Sequence, residues 1–186
     1  MTDPTDRPTR TLLTERVGFL LSQLGFHAAA RFTERLAPLG LQPRHFGLLT
    51  HLAAGDGQTQ QQLADTMGIH RNVMVGLVDD LEDRGLVRRQ RHHTDRRAHA
   101  IHLTDAARDL LAQAQHAADE HDAGLLAALG ETDRALLTTL LQRIAAHTGL
   151  TPGVHPDLRR RPTVRNGKHR PPSVQPLDGS VAASKP

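Results

Sequence analysis

The sequence contains no cysteine, tryptophan or tyrosine, and aromatic residues make up only 2% of its 186 residues. The absence of cysteine excludes a disulfide framework, a thiol nucleophile, a thiolate metal site and a cysteine redox sensor. Hydrophobic residues still form 38% of the chain, so its core must be built mainly from Leu, Ala, Val and Ile. That composition favours helices, and the length suits one domain with an appendage.

The sequence also lacks a long apolar run. Its first residues, MTDPTDRPTRTLLTER, are polar and contain no apolar signal-peptide core, and no membrane-spanning stretch of about eighteen apolar residues follows. We therefore expect a soluble, cytoplasmic protein without membrane contact. No catalytic set of residues stands out, so the sequence predicts neither an enzyme nor a cofactor.

Positive charge is concentrated in two places, although the formal net charge is only +3. The tail from Thr151 holds seven Lys and Arg residues against two Asp residues, a net charge of +5, which leaves residues 1–150 at about −2. Within this mildly acidic body, residues 88–108 read RRQRHHTDRRAHAIHLTDAAR, with six arginines, two aspartates and four histidines. Local concentration of this kind is the electrostatic footprint of a nucleic-acid-binding protein.

Hydrophobic periodicity predicts long helices at both ends of the chain. Apolar residues recur at three- and four-residue steps over residues 12–36, and a second helix follows Pro43. Near the other end, Thr104 caps a helix that runs to about Leu129, and Thr132 starts a last helix.

Two short helices joined by a glycine turn lie between these ends. Thr59 and Gln62 form a capping-box pattern that opens the helix TQQQLADTM. After Gly68, the apolar residues of IHRNVMVGLVDDLEDRG form one stripe of a helix that Gly85 closes. The pair is typical of a helix-turn-helix, whose second helix enters the DNA major groove with its N-terminal residues toward the bases.

A charged hairpin follows the helix pair directly. Leu86 and Val87 begin one strand, HHTD forms a polar turn, and AHAIHL alternates with the period of a second strand. Helix pairs with a glycine turn are common outside DNA-binding proteins, so the basic wing carries most of the DNA-binding inference. The predicted fold is mainly α, a winged helix-turn-helix with a two-stranded β wing.

One part of the sequence resembles the MarR family of transcriptional regulators. The matching residues are TQQQLADTMGIHRNVMVGLVDDLEDRGLVRR, followed by TDRRAHAIHLTDAARDLL. The triplet Asp95-Arg96-Arg97, between the GLV strand and the LT helix start, is its most specific part, and the resemblance extends over residues 12–148.

The resemblance implies a domain organisation in which terminal helices interlock as a homodimer around a DNA-binding lobe. The predicted parts are a flexible N-terminus (1–11), a winged helix domain (12–149) with its lobe near 43–103 and dimerisation helices 12–36 and 104–147, and a disordered, basic, proline-rich tail (150–186).

The resemblance also assigns DNA contacts to the wing and to the second helix of the pair. The wing tip enters the minor groove, where negative potential attracts an arginine and Asp95 orients its neighbour. Arg71 matches a frequent family arginine, and Asn72 and Val73 fall at exposed positions that would contact an adenine and a thymine methyl. The predicted DNA-binding residues are His70, Arg71, Asn72, Val73, Val75, Arg88, Arg91, Asp95, Arg96 and Arg97.

Two positions on the second helix depart from the family pattern. Gly76 stands where the family tends to have an arginine or another polar residue, and Asp80 stands where a second basic residue is common. We therefore expect fewer phosphate contacts and an atypical operator.

By resemblance, Phe19, Phe26, His27 and Phe46 belong to helices that border the family's effector pocket, although plain core packing is the alternative for each. The absence of tryptophan departs from the family's urate-responsive branch. The expected function is a repressor that binds a pseudo-palindromic operator in double-stranded DNA until a small aromatic or amphipathic effector weakens binding.

Two other functions use the same features. A nucleoid-type or RNA-binding structural protein would use the basic wing and tail without reading bases. A histidine-dependent metalloprotein would use His116, Glu120 and His121 on one helix, with His45 and His51 on another, although the spacing is not that of a clean helical pair and no metal is predicted.

Overall fold

The computed structural model describes residues 12–91 and 98–156, so Asp95, Arg96 and Arg97 at the predicted wing tip lie outside the described residues. The prediction of a mainly α fold is confirmed, and no helix in the described ranges is long and apolar enough to cross a membrane. In chain order the elements are α1 (Val17–Leu36), α2 (Pro43–Ala54), β1 (Gln58–Thr59), α3 (Gln60–Met67), α4 (Arg71–Asp83), β2 (Val87–Arg91), β3 (His99–Leu103), α5 (Asp105–Leu125) and α6 (Glu131–His147), with 3-10 turns at Leu13–Glu15 and Ala37–Leu39.

Three helix boundaries differ from the predicted ones. α1 begins at Val17, later than predicted, because Arg16 is extended (φ −89°, ψ 111°) and separates the helix from the preceding 3-10 turn. α5 ends at Leu125, earlier than predicted, and Gly130 is the N-cap of α6. Hydrophobic periodicity locates the middle of a helix, whereas its ends depend on capping and on the conformation of single residues.

α3 and α4 form the predicted helix-turn-helix. The capping box is confirmed: the Gln62 backbone N–H donates to Thr59 Oγ1 over 3.2 Å, and the Thr59 backbone N–H donates to Gln62 Oε1 over 2.8 Å. Gly68 closes α3 with φ 60°, a left-handed conformation that glycine adopts without steric cost. The turn therefore fixes how α4 leaves α3.

The sheet has three strands, whereas the sequence predicted two. β3 lies in the centre, with β2 on one side and β1 on the other, and both neighbours run antiparallel to it. In β1, Gln58 lies opposite Ile101 and Thr59 lies opposite Ala100. Two residues carry no readable alternation, so only pairing with the distant β3 defines this strand.

The core lies in the lobe formed by α2, α3, α4 and the sheet, and the start of α5 completes it. Burying one leucine side chain contributes about 1.5–3 kcal/mol, so these contacts hold α4 and the wing stem in one body. The largest fully buried side chains include Leu48, Leu49, Leu52, Leu63, Met67, Met74, Leu81 and Ile101, and α5 adds Ala107, Leu111 and Ala114.

α1 and α6 expose much apolar surface. None of the described residues of α6 is buried, and the side chain of Leu136 there is 56% exposed. On α1, Leu24 is 53% exposed and Phe26 is 82% exposed. Both helices therefore carry apolar side chains that the described residues of this chain do not cover.

The ordered chain continues past Gly149, where the sequence predicted that the folded part ends. Residues 151–156 are described, and the half-buried Val154 packs against the core cluster. Residues 157–186, the larger part of the predicted tail, lie outside the described residues.

Candidate nucleic-acid interface

The N-terminal turn of α4 presents polar side chains to solvent. Arg71 and Asn72 are exposed, Gly76 follows on the exposed side, and Val75 is half-buried. His70 is the N-cap, and its Nδ1 accepts a hydrogen bond from the Asn72 backbone N–H over 3.2 Å. Exposed polar side chains at the N-terminus of a helix are what a helix in the major groove uses to contact bases.

The expectation that Val73 is exposed is wrong. Its side chain is only 8% exposed and belongs to the same core cluster as Met74 and Leu77. The buried stripe of α4 extends one residue further toward the N-terminus than the sequence indicated. Contact between Val73 and a base stays a prediction, and Asn72 and Val75 present more of their surface there.

The wing stem carries arginines on both faces of the sheet. Arg88 lies opposite His102 and Arg91 lies opposite His99 in the β2–β3 pair. Arg88 and Arg91 are exposed, which suits the phosphate contacts predicted for them. Their roles at DNA stay predictions.

Arg89 differs from both neighbours because it pairs with α4. Its guanidinium forms salt bridges with Asp79 and Glu82, and its backbone N–H donates to Glu82 Oε1 over 3.0 Å. Burial would lower the pKa of Arg89, but hydrogen bonds to the two carboxylates outweigh burial and raise it. The sequence showed Arg89 only as one more basic residue of the wing.

Asp80 has a partner that sequence reasoning missed. Its Oδ2 lies 2.9 Å from Nε2 of His45, a side chain of α2 that is 3% exposed, although the angle does not make an aligned hydrogen bond. His45 Nδ1 accepts from the Gln42 backbone N–H over 3.3 Å, which places the ring proton on Nε2, facing the carboxylate. Burial lowers the pKa of His45 to about 4, so the neutral ring joins α2 to α4.

Asp56 joins the sheet to α5. Its carboxylate accepts from the Leu103 backbone N–H over 3.0 Å and lies 3.2 Å from His102 Nδ1 and 3.3 Å from the Arg108 guanidinium. Burial would raise the pKa of Asp56, but the hydrogen bonds from Leu103 and His102 and the charge of Arg108 lower it. The base of the wing is thus tied to a predicted dimerisation helix.

The four predicted effector-pocket residues are not seen as one cluster. Phe46 packs edge-on against Phe32, with ring centroids 5.5 Å apart, and Phe32 also contacts His121 at 5.4 Å. Phe19 and Phe26 are 40% and 82% exposed, and His27 is exposed. A separate open groove of about 400 Å³ lies on α6, lined by Leu140, Arg143, Ile144 and His147.

His116 of α5 pairs with a carboxylate of its own helix. His116 Nε2 lies 3.4 Å from Glu120 Oε1, while Glu120 also accepts from Arg35 over 2.9 Å. In the described ranges, no three His, Asp or Glu side chains converge as metal ligands would.

Comparison with known proteins identifies relatives of the whole domain. The model of the MarR family matches residues 39–98. A candidate transcriptional regulatory protein for the hcr operon of Thauera aromatica is 31% identical over 155 residues, which cover 78% of this chain and 93% of that protein.

Two solved structures of regulators named CouR are also similar. The transcriptional repressor CouR bound to a 23-mer DNA duplex is 37% identical, with a TM-score of 0.65 over 72% of this chain and 94% of that one. CouR from Rhodococcus jostii RHA1 bound to p-coumaroyl-CoA is 33% identical, with a TM-score of 0.62 over 73% of this chain and 95% of that one.

Proposed function

The chain belongs to the MarR family, and on that premise we propose that it regulates transcription by binding duplex DNA through α4 and the wing. The observation that carries this proposal is the exposed N-terminal turn of α4, with Arg71 and Asn72, on the same lobe as the exposed Arg88 and Arg91. Arginines attract phosphates, whereas an asparagine amide pairs with the edge of an adenine.

We propose that the DNA-binding form is a homodimer. The exposed apolar surfaces of α1 and α6 support this proposal, because a second copy would cover them. Two copies related by a two-fold axis would place two α4 helices about one or more helical turns of DNA apart. The operator is then pseudo-palindromic.

We propose that the protein represses transcription until a small aromatic or amphipathic effector weakens DNA binding. The CouR relatives support this, since one structure holds a DNA duplex and another holds p-coumaroyl-CoA. Binding at two sites is reciprocal: an effector that lowers DNA affinity is itself bound less tightly by the DNA complex. Of the predicted effector-pocket residues Phe19, Phe26, His27 and Phe46, we propose Phe46 as a lining residue, because it packs with Phe32 and, through Phe32, with His121 where α1, α2 and α5 meet.

The basic residues beyond the domain add a further proposal. We propose that residues 157–186 contribute sequence-independent, salt-sensitive affinity for DNA, because all seven Lys and Arg residues of the tail from Thr151 lie there. Truncation after Pro156, which retains the packed Val154, should lower binding to any duplex and leave operator choice unchanged. A changed operator preference would contradict this proposal.

Selection from a random-sequence duplex pool tests the main proposal. Repeated binding should enrich one short palindromic sequence, and footprinting of that duplex should show one bounded protected segment. Uniform coating with no enrichment would instead favour the nucleoid-type or RNA-binding structural protein. Titration with p-coumaroyl-CoA, with free CoA as the control, tests whether an aromatic thioester releases the selected duplex.

The relatives regulate transcription, and we propose no catalytic activity and no cofactor for this chain. A regulator that binds chromosomal DNA acts where the chromosome lies, so we propose that this protein acts in the cytoplasm.

A further inference from the structure

Arg89 lies in the basic segment 88–108, but its side chain is partly buried and is not free to contact DNA. Its side chain is 23% exposed, and the neighbouring Arg88 is exposed on the opposite face of the sheet. Arg89 shares its face with Val87, which is buried in the core. The alternation of β2 therefore directs Arg89 toward α4.

The salt bridges of Arg89 connect the wing stem to the recognition helix. One guanidinium nitrogen contacts Glu82 and another contacts Asp79, so the planar fork spans two carboxylates one helical turn apart. Glu82 also accepts the Arg89 backbone N–H, which fixes both the side chain and the strand itself. These contacts restrain Arg89 more than one exposed salt bridge would, since an isolated surface pair stabilises the folded state by about 0–1 kcal/mol at the median.

The position of Asp79 places this arrangement beside the reading surface. Asp79 follows Asn72 by seven residues, two helical turns, so both lie on the same side of α4. The next residue, Asp80, points about 100° around the helix and contacts His45 of α2. The recognition helix is thus held by carboxylates on two flanks, one toward the wing and one toward α2.

We infer that Arg89 is a positioning residue of the DNA interface, which fixes the wing stem relative to α4 through Asp79 and Glu82 and does not bind phosphate. This inference rests on the proposed DNA-binding function. A reader that enters the major groove with a helix and the adjacent groove with a wing needs both elements in one fixed geometry. Arg89 contributes to operator choice, whereas Arg88 and Arg91 contribute charge.

Two variants separate geometry from charge. Arg89→Lys keeps the positive charge, but one ammonium cannot span both carboxylates as the guanidinium fork does. The double variant Asp79→Asn with Arg89→Gln removes the connection and leaves the net charge of the lobe unchanged. Arg88→Gln is the matched control, because it removes an exposed arginine from the adjacent position of the same strand.

Each protein is measured on the duplex selected from the random pool by the wild type and on a scrambled duplex of the same composition, across a salt series. Both Arg89 variants should bind the selected duplex about tenfold more weakly, the size of a typical coupling between contacting groups. Binding to the scrambled duplex and the salt slope should stay unchanged. Arg88→Gln should weaken both duplexes equally and lower the salt slope by about 0.9.

Three results would overturn the inference. Equal losses on both duplexes with a lower salt slope in the double variant would make Arg89 a phosphate contact. Unchanged binding in both Arg89 variants would make it an inert surface pair. Loss of the cooperative melting transition in both would make it a folding residue. If the wild type itself enriches no duplex, the proposed function fails first and the inference falls with it.

Discussion

At the scale of single residues, His45 is a buried histidine whose neutral ring joins α2 to α4 through Asp80. Its pKa lies near 4, against 6.5 for an unburied histidine, because burial disfavours the charged form. The unfolded chain therefore takes up a proton at this position as the pH falls below 6.5, whereas the folded chain does not. Stability is fully present above pH 6.5 and is lost as the pH falls toward 4.

We expect the free energy of unfolding to fall by up to about 1.4 kcal/mol per pH unit in this window because of His45 alone, about 3 kcal/mol in all. Urea unfolding between pH 7 and pH 4.5 measures this dependence. His45→Asn should flatten it, although the absolute stability will also fall. His116→Asn, which changes a histidine that is 78% exposed, serves as the control and should leave the dependence intact. A pH dependence that survives His45→Asn would contradict the assignment.

Substitutions of Asn72 and Arg97 should change DNA affinity in different ways. Asn72→Ala removes an exposed amide from the start of α4, so we expect a loss of about 1–3 kcal/mol in binding free energy on the selected duplex, relaxed discrimination at one base pair per half-site, and an unchanged salt slope.

Arg97→Ala, or Arg96→Ala, removes charge from the predicted wing tip, so affinity should fall on every duplex and the salt slope should decrease by about 0.9. Both are read from a salt series on the selected and scrambled duplexes. Equal losses of Asn72→Ala on the two duplexes would show that α4 is not the reader.

At the scale of elements, α4 contains a glycine that its conformation does not require. Gly76 lies in the middle of the helix, and a Cβ built there meets no atom within 4 Å. Because glycine loses more backbone entropy than alanine in a helix interior, Gly76→Ala should raise the free energy of unfolding by about 0.5–1 kcal/mol.

Urea unfolding of the free protein measures this gain, with Gly68→Ala as the opposing case. Gly68 has φ 60°, so an alanine there is strained and should destabilise the turn between α3 and α4. If Gly76→Ala destabilises the protein instead, the exposed face of α4 contains a contact that the single chain does not reveal.

At the scale of the whole molecule, the exposed apolar faces of α1 and α6 predict a stable dimer. Light scattering at micromolar concentration should give twice the mass of the chain. The double variant Leu140→Glu with Ile144→Glu places two charges on an α6 face whose side chains are 42% and 44% exposed in the single chain, and it should give the monomer mass.

The lobe core contains neither Leu140 nor Ile144, so the monomeric variant should keep the helical circular dichroism spectrum of the folded protein. It should lose affinity for the selected duplex far more than for a scrambled one, because one half-site contact no longer assists the other. A monomeric wild type would refute the two-half-site operator.

The order of the helices, the two strands of the wing and the family were determined by the sequence alone, because their signals are local. The Thr59 and Gln62 capping box, the left-handed Gly68 and the single apolar stripe of α4 each depend on residues within one or two helical turns. The helix-turn-helix and the wing follow from these patterns, and the resemblance to the family follows from their order along the chain.

The pairing of charges, by contrast, was decided only by the tertiary structure. Asp80 contacts His45, Asp56 contacts His102 and Arg108, and β1 exists only because it lies beside β3. The tertiary structure also decided the burial of Val73 and the salt bridges of Arg89. The alternation of a strand does not predict which of its basic residues pair with carboxylates of another element. Each of these outcomes depends on how separate elements pack, and packing brings together side chains whose distance along the chain leaves no periodic trace.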